Sequence, residues 1–156
     1  MIRARVITCS DAASRGERVD ESGPAVREIL QHKFVVDEIV VVPDHVDAIA
    51  DAITNAIDDG ARLVVTTGGT GLSPRDVTPE ATMKVCERII PGFGERMRAT
   101  SAVGALSRAI AGTKGTALIV NLPGSVNGAS ETLQSVLSLI PHALDLLAGG
   151  RVEKHP

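Results

Sequence analysis

The chain has 156 residues, the usual length of one domain, and we expect a single domain over residues 1–156. Hydrophobic residues make up 44% and charged residues 22% of the sequence, which argues against a disordered or membrane protein. The net charge is -3, the basic residues are scattered, and Trp and Tyr are absent, so no nucleic-acid partner is expected.

Targeting and metal-binding signals are also missing from the sequence. The short apolar stretch in residues 1–6 fits neither a signal peptide nor a membrane span, so we expect a cytoplasmic protein. The cysteines, Cys9 and Cys86, lie far apart, which excludes a disulfide framework. No zinc-ligand spacing is found among the histidines, which are His32, His45, His142 and His155.

The first half of the chain alternates strand and helix patterns. Runs rich in β-branched residues at 3–9, 35–42 and 62–67 predict three strands. Ser22-Gly23-Pro24 introduces a helix after the first strand, and an apolar stripe from Val46 to Ile57 predicts a helix after the second. This order predicts a parallel sheet with helices on both faces and ligands at the carboxyl ends of its strands.

The second half predicts three more features. Thr78-Pro79-Glu80 begins a helix, and Pro91 begins a short further one. Residues 106–110 and 116–120 predict a hairpin around a turn at 112–115, so one strand runs antiparallel. A stripe from Leu133 to Leu147 predicts a final helix, kinked near Pro141, before a polar tail at 149–156. The predicted fold class is therefore α/β, three-layered and mostly parallel.

A glycine-rich loop, residues 66–76, joins the third strand to the helix that begins near Thr78. Backbone amides and a helix amino terminus at such a place can face an anion, and glycines let the backbone approach a phosphate. The loop lacks the GK[ST] of a Walker A motif and the third glycine of a dinucleotide fingerprint. The structural alternative is a plain strand-to-helix turn.

Acidic residues follow the ends of several predicted strands. Asp11, Asp44 and Asp76 would line one crevice, where Asp44 and Asp76 could hold a Mg²⁺ bound to nucleotide phosphates. Two structural alternatives remain open. Asp44 fits the N-cap position of the next helix, and Asp76 fits as a partner of a helix dipole.

Two further segments offer polar groups near the same edge. Ser107, beside Arg108, could hydrogen-bond a phosphate or pterin, although serine at this position is also an ordinary turn residue. Asn121-Leu122-Pro123-Gly124-Ser125 follows an apolar strand and offers an amide and backbone groups to a ligand. Its structural alternative is a proline-glycine turn. A serine hydrolase is not supported because the GxSxG motif is absent.

Several longer motifs occur in order along nearly the whole chain. They are Ser10-Asp11, Ser14-Arg15-Gly16, Ser22-Gly23-Pro24, Thr67-Gly68-Gly69-Thr70-Gly71 and the segments 74–82, 90–94, 106–108 and 121–125. Together they closely resemble the molybdopterin-binding family, which includes bacterial Mog and MoaB-type proteins and the G domain of gephyrin. Ordered motifs are far more specific than one glycine loop.

The resemblance implies a three-layer α/β fold, a homotrimer or hexamer, and a reaction of molybdopterin with MgATP that gives adenylyl-molybdopterin and pyrophosphate. A molybdenum-inserting protein is an implied partner. Asp44, Asp76 and Ser107 match catalytic positions, and Asp44 and Asp76 match the acidic residues that hold the metal. Substrate contacts are implied for Asp11, Thr67, Gly68, Gly69, Thr70, Gly71, Asn121, Pro123, Gly124 and Ser125.

The sequence departs from the family pattern at two places. Residues 98–105 are shorter than the family norm, and a Thr-Pro pair before Leu106-Ser107-Arg108 is missing, which affects the placement of Ser107. His45 stands where the family often has an acidic residue. The alternatives to an adenylyltransferase are a non-catalytic pterin-binding or scaffolding paralogue of the MoaB type and a nucleotide-acting relative of the competence-damage proteins.

Overall fold

A computed structural model describes residues 1–150, and the strands in that range form one sheet. The strands are β1 (Arg3–Cys9), β2 (Val35–Val36), β3 (Val40–Val42), β4 (Leu63–Thr67), β5 (Arg88–Ile89), β6 (Ala111–Lys114) and β7 (Ala117–Leu122). The helices are α1 (Asp11–Ser14), α2 (Ser22–Leu30), α3 (Val46–Asp58), α4 (Thr78–Val85), α5 (Pro91–Arg98), α6 (Val126–Val136) and α7 (Ile140–Leu147). A 3₁₀ helix covers Ala102–Leu106. In this part of the chain no helix combines the length and apolar character needed to cross a membrane.

The sheet has the order β2-β1-β4-β7-β6-β5, and β3 also pairs with β1. The pairings of β1 with β2, β3 and β4, and of β4 with β7, are parallel. Strand β6 is antiparallel to both β5 and β7. The predicted α/β fold, with a mostly parallel sheet and one antiparallel strand, is confirmed.

Two helical layers cover the sheet, as predicted. The cluster on one face joins α3 and α4 to β1, β4 and β7 through Ile49, Ile53, Ala81, Ile7, Val64 and Ile119. The cluster on the other face joins α2, α5, α6 and α7 to the same strands through Val26, Leu30, Phe93, Met97, Leu133, Leu144, Val6, Val65 and Val120. Successive residues of each strand point to opposite faces, so these apolar runs are buried from both sides.

The prediction of one strand over 35–42 is wrong. Arg3 pairs with Val35, but Ile7 pairs with Val40, so this segment carries one residue more than β1 between the two pairings. The extra residue interrupts the ladder, as a bulge does. Asp37 lies in the interruption and forms ion pairs with Arg3 and Arg5, at 2.9 and 3.6 Å.

The hairpin differs from its prediction in register. The turn falls at Gly115 and Thr116, between Lys114 and Ala117, rather than at 112–115, and Gly115 has a φ of 55°. Gly112 lies inside β6, where an added Cβ would come within 2.8 Å of the Arg88 carbonyl oxygen on β5. Residues 106–110 do not form the predicted strand, because the chain there leaves the 3₁₀ helix and runs towards β6.

The final helical stripe is divided into two helices rather than one kinked helix. Helix α6 ends at Val136, and α7 begins at Ile140 with Pro141 in its first turn, where the missing N–H of proline is tolerated. The chain leaves α7 through Gly149, which has a φ of 78°. Most of the predicted polar tail at 149–156, including His155, lies outside the described residues.

Asn121 forms a buried polar cluster with two threonines under α4. Its side chain is fully buried, and its Nδ2 donates to Thr66 Oγ1 (3.0 Å) and to Thr82 Oγ1 (2.9 Å). Its Oδ1 accepts from Ile110 N at 3.4 Å. The amide of Asn121 therefore ties β7 to β4 and α4, and its expected substrate contact stays a prediction.

Replacement of Asn121 by Ala should lower the free energy of unfolding by about 2 to 4 kcal/mol, because Ile110 N and both threonines lose a buried partner. Urea denaturation would measure this loss. Asn55→Ala, on the exposed side of α3, is the control and should stay near wild type. A loss for Asn121→Ala no larger than that of the control would contradict the assignment.

Candidate active site

Three neighbouring parallel strands end together at one edge of the sheet. Thr67 of β4 lies opposite Thr8 of β1 and opposite Leu122 of β7. Gly68 N then donates to Leu122 O at 3.0 Å, which ties the glycine loop to the end of β7. The predicted edge, where the carboxyl ends of parallel strands meet, is therefore formed, and ligands of open α/β sheets bind at such edges.

The glycine loop turns sharply as it leaves β4. Gly68 and Gly69 have φ angles of 89° and 69°, a region that glycine adopts without steric cost. A Cβ on Gly68 would overlap the backbone carbonyl oxygen of Cys9. The loop lies against the end of β1 only because this position carries no side chain.

Glycine also makes room for the two candidate metal ligands. An added Cβ on Gly69 would overlap Thr78 Oγ1 and lie 3.2 Å from Asp44 Oδ1. An added Cβ on Gly71 would lie 2.9 Å from Asp76 Oδ2. The loop thus brings its backbone close to both carboxylates, which a plain strand-to-helix turn does not require.

Asp11 and Asp44 bind each other's backbone. Asp11 N donates to Asp44 Oδ2 (3.0 Å), and Asp44 N donates to Asp11 Oδ1 (2.9 Å). The other Asp11 oxygen accepts from Arg75 Nε and Nη2, at 3.0 and 2.8 Å. The Asp44 N–H, and secondarily Arg75, hold the pKa of Asp11 below its usual value. Both Asp11 oxygens are occupied, so this residue holds Asp44 in place and lines neither cavity described below.

Asp44 keeps one carboxylate oxygen unpaired. Its Oδ1 is buried and has no hydrogen-bond partner within residues 1–150. Burial raises the pKa of Asp44. The hydrogen bond from Asp11 N lowers this pKa, and the nearby carboxylates of Asp11 and Asp76 raise it. The alternative that Asp44 caps α3 is wrong, because His45 occupies the N-cap position and no side chain caps that helix.

Asp76 stands between two adjoining cavities. A cavity of about 690 Å³ lies over the ends of β1 and β4, and one of about 450 Å³ lies beside it towards α5 and the 3₁₀ helix. Both are lined by Gly69, Asp76, Gly124 and Ser125. Asp76 Oδ2 accepts from Ser73 N at 3.0 Å, which fixes the side chain on its own loop. Asp76 lies one residue before Val77, the N-cap of α4, so the alternative that it complements the dipole of this helix stays open.

Two serines contribute to the cavity walls through local hydrogen bonds. Ser125 caps α6 by accepting from Gly128 N at 3.1 Å, so the amino terminus of that helix opens onto both cavities. Ser107 follows the 3₁₀ helix, lines the smaller cavity and accepts from Ala109 N at 3.2 Å. The shortened segment 98–105 therefore still delivers Ser107 to the site.

The structure gathers most of the predicted site residues at this edge. The larger cavity is lined by Asp44, Thr67 and Gly68, the smaller by Thr70, Gly71, Ser107 and Pro123, and both by Gly69, Asp76, Gly124 and Ser125. Asp11 and Asn121 are the two that line neither cavity, since the side chain of each is engaged with the protein itself.

Several lining residues were not predicted as site residues. Asp20 lines the larger cavity, and its carboxylate accepts from Thr8 Oγ1 (2.8 Å) and Gly23 N (3.0 Å). It lies between the motif segments Ser14-Arg15-Gly16 and Ser22-Gly23-Pro24, and this position was a usable signal. Arg18, the cation that lines the larger cavity, and Glu131, which lines the smaller, carried no such signal.

The donor set suits Mg²⁺ that arrives with a phosphate ligand. Mg²⁺ is usually bound by one or two carboxylates together with substrate phosphates and water. Asp44 and Asp76 both line the larger cavity, and the buried Oδ1 of Asp44 has no hydrogen-bond partner in the described residues. No group of three or more His, Cys, Asp and Glu in residues 1–150 is arranged to hold a metal by itself.

A family model described as "Probable molybdopterin binding domain" matches residues 5–142. The chain belongs to this family, and the predicted resemblance is confirmed. An α/β sheet with two adjoining cavities at the ends of β1, β4 and β7 is thus the form that the family takes in this chain.

Individual relatives match over almost the full chain. A Helicobacter pylori protein named "Molybdopterin adenylyltransferase" is 40% identical, covering 97% of this chain and 91% of that protein. An Escherichia coli K12 protein of the same name is 35% identical, covering 99% and 90%. The crystal structure of the "Molybdopterin biosynthesis enzyme MoaB" from Thermus thermophilus superposes with a TM-score of 0.91 at 44% identity, covering 96% and 98%.

Asp44→Asn should raise the free energy of unfolding of the metal-free protein at neutral pH, because a neutral amide replaces a carboxylate that is desolvated when ionised. A folded-state pKa above the ordinary value means that Asp44 favours folding at low pH and that this contribution disappears as pH rises through the raised pKa. The gain in free energy of unfolding of Asp44→Asn over wild type should therefore grow as pH rises from the ordinary aspartate pKa to the raised pKa of Asp44. Above that pH it should stay constant.

Urea unfolding in EDTA from about pH 3 to pH 8 would measure this difference. Asp58→Asn, at the exposed end of α3, is the control and should show no such growth. A stability gain of Asp44→Asn that shrinks as pH rises would contradict the raised pKa of Asp44.

Proposed function

We propose that this chain is an adenylyltransferase that joins molybdopterin to the AMP part of ATP in the presence of Mg²⁺, releasing pyrophosphate. The observation that carries the proposal is the pair of adjoining cavities that share Asp76, with Asp44, whose buried Oδ1 is unpaired, lining the larger one. Support comes from the family and from relatives named molybdopterin adenylyltransferase.

The two cavities suit a reaction between two phosphate-bearing molecules. Volumes of about 690 and 450 Å³ lie within the range of small-molecule pockets, roughly 300 to 1,000 Å³. The wall that they share is made by Gly69, Asp76, Gly124 and Ser125. Two substrates bound side by side would meet there with their phosphates, where loop amides and the amino terminus of α6 can receive anions.

The charges of the larger cavity favour a nucleotide that brings a cation. Asp20, Glu21, Asp44 and Asp76 line it, against the single lining cation Arg18 in the described part of the chain. A bare triphosphate would be repelled by these carboxylates, whereas Mg²⁺ bound at Asp44 and Asp76 would neutralise both partners. Magnesium supplies charge neutralisation at the phosphates when it is bound.

The reaction needs alignment more than proton transfer. A phosphate oxygen of molybdopterin attacks the α-phosphorus of ATP, the bond from that phosphorus to the bridging oxygen breaks, and pyrophosphate leaves with the bonding pair. The attacking phosphate is already ionised near neutral pH, so no general base is assigned. Asp76 and the glycine loop hold the two reacting groups together, and Ser107 is positioned to contact the molecule in the smaller cavity.

Other parts of the family expectation stay predictions. They are the homotrimer or hexamer, the molybdenum-inserting partner and the cytoplasmic location. The competing function, non-catalytic pterin binding or scaffolding, shares the fold and the cavities, so a turnover measurement must separate the two.

Asp76→Asn should slow product formation by at least about 100-fold, because the amide keeps the shape of the loop but loses the charge that holds the metal. Pterin binding should stay largely intact. Purified protein would be given molybdopterin, ATP and Mg²⁺, with pyrophosphate and adenylyl-molybdopterin measured together and pterin binding followed by fluorescence.

Asp58→Asn is the matched control, since it removes an exposed carboxylate distant from the cavities, and it should turn over like wild type. If wild type binds pterin but makes no product where a known adenylyltransferase does, the non-catalytic function is correct. Unchanged turnover in Asp76→Asn would contradict the proposal that the Asp76 carboxylate holds the metal.

A further inference from the structure

We infer that Arg108 is a positioning residue that fixes the segment 70–76 and thereby the Asp76 carboxylate; the inference rests on the proposed function. From the sequence, Ser107 was the possible contact of a phosphate or pterin, and no role was assigned to Arg108 beside it. The contacts of Arg108 in the structure are instead with the loop that carries Asp76.

Arg108 holds both ends of this segment. Its backbone N donates to Thr70 O at 2.7 Å. Its Nε donates to Gly71 O and its Nη2 to Asp76 O, each at 2.8 Å. One arginine therefore binds the first two carbonyl groups of the segment and the last one. The planar fork of a guanidinium directs five N–H donors from three nitrogens to separated acceptors, whereas the three donors of a lysine ammonium leave from one nitrogen.

The remaining side of the guanidinium is also engaged. Arg108 Nη1 forms an ion pair with Glu80, which lies in the first turn of α4. This pair links the segment before β6 to α4, the helix that follows Asp76. With its charge balanced by Glu80 and its donors directed to carbonyl groups, Arg108 acts on the site through the loop rather than through a ligand.

The segment has little else to hold it. Leu72, Ser73, Pro74 and Arg75 are exposed, so apolar packing contributes little to its order. The internal bonds, Asp76 N to Ser73 O (2.9 Å) and Ser73 N to Asp76 Oδ2 (3.0 Å), close a turn but do not attach it to other elements. The other side-chain attachment of this turn is the exposed Arg75, which donates to Asp11 through Nε and Nη2 at 3.0 and 2.8 Å. Exposed segments with few packing contacts open at low free energy, and Arg108 opposes that opening.

Arg62 provides a matched control elsewhere in the molecule. Its Nη2 donates to Leu144 O in α7 (2.7 Å) and to Thr116 O in the hairpin turn (3.2 Å), so it also ties separate elements together through carbonyl groups. It precedes β4 and therefore lies at the amino end of that strand, away from the cavities. Loss of Arg62 should affect stability without changing the site.

The experiment compares Arg108→Gln, Arg108→Lys and Arg62→Gln in the full chain. Hydrogen exchange of the amides in 70–76 reports the loop directly and needs no turnover. Steady-state kinetics with molybdopterin and MgATP report kcat and KM separately. We expect Arg108→Gln to speed loop exchange at least about 10-fold and to lower kcat about 10- to 100-fold, with both KM values within about threefold of wild type.

The lysine variant should fall between wild type and Arg108→Gln in exchange and in kcat, because it keeps the charge beside Glu80 but loses the fork. Arg108→Lys also provides the test of the inference if Arg108→Gln does not fold. Arg62→Gln should keep wild-type kcat and wild-type exchange in 70–76.

The inference is overturned if loop exchange does not change in Arg108→Gln, or if exchange rises while kcat is retained. A rise confined to KM for ATP or molybdopterin would make Arg108 a substrate contact, which also overturns it. If wild type itself shows no turnover, the proposed function fails, whereas the exchange data still decide whether Arg108 orders the loop.

Discussion

The parallel pairing of β1, β4 and β7 is the constraint on which the rest of the molecule depends. Its register places Thr8, Thr67 and Leu122 side by side, so that three connecting segments leave the sheet at one edge. Gly68 lies where these segments come close together. Its N–H donates a hydrogen bond to Leu122 O, and its Cα lies against the carbonyl group of Cys9. The site is therefore a consequence of strand register and of glycine at one crowded position.

The candidate catalytic carboxylates depend on bonds made by other residues. Asp11 holds Asp44 through paired backbone contacts, and Arg108 holds the loop that carries Asp76. Asp44 is thereby kept half-buried with a raised pKa and an unpaired oxygen. Such a group opposes folding at neutral pH and is suited to binding a cation. The buried core on both faces of the sheet therefore offsets the unfavourable desolvation of this carboxylate.

The features that local patterns determine were predicted from sequence, and those that depend on distant partners were not. Runs rich in β-branched residues identified β1 and β4, and an apolar helical stripe identified α3. The extra residue after Val36 was invisible because it is defined only against β1. The motif containing Asn121 was recognised, but its bonds to Thr66 and Thr82 were not foreseen, since they cross two other elements. The bonds of Asp11 to Asp44 and Arg75 were not foreseen for the same reason.

The central claim is that Asp44 and Asp76 hold Mg²⁺ on a nucleotide in the larger cavity. A crystal structure with Mn²⁺ and an ATP analogue carrying a methylene bridge between its α- and β-phosphorus atoms would test it most directly, since manganese is located by its anomalous scattering. The account predicts an anomalous peak roughly 2.1 Å from Asp44 Oδ1, shared with Asp76 and a phosphate oxygen. A nucleotide bound in the cavity with its metal on neither carboxylate would contradict it.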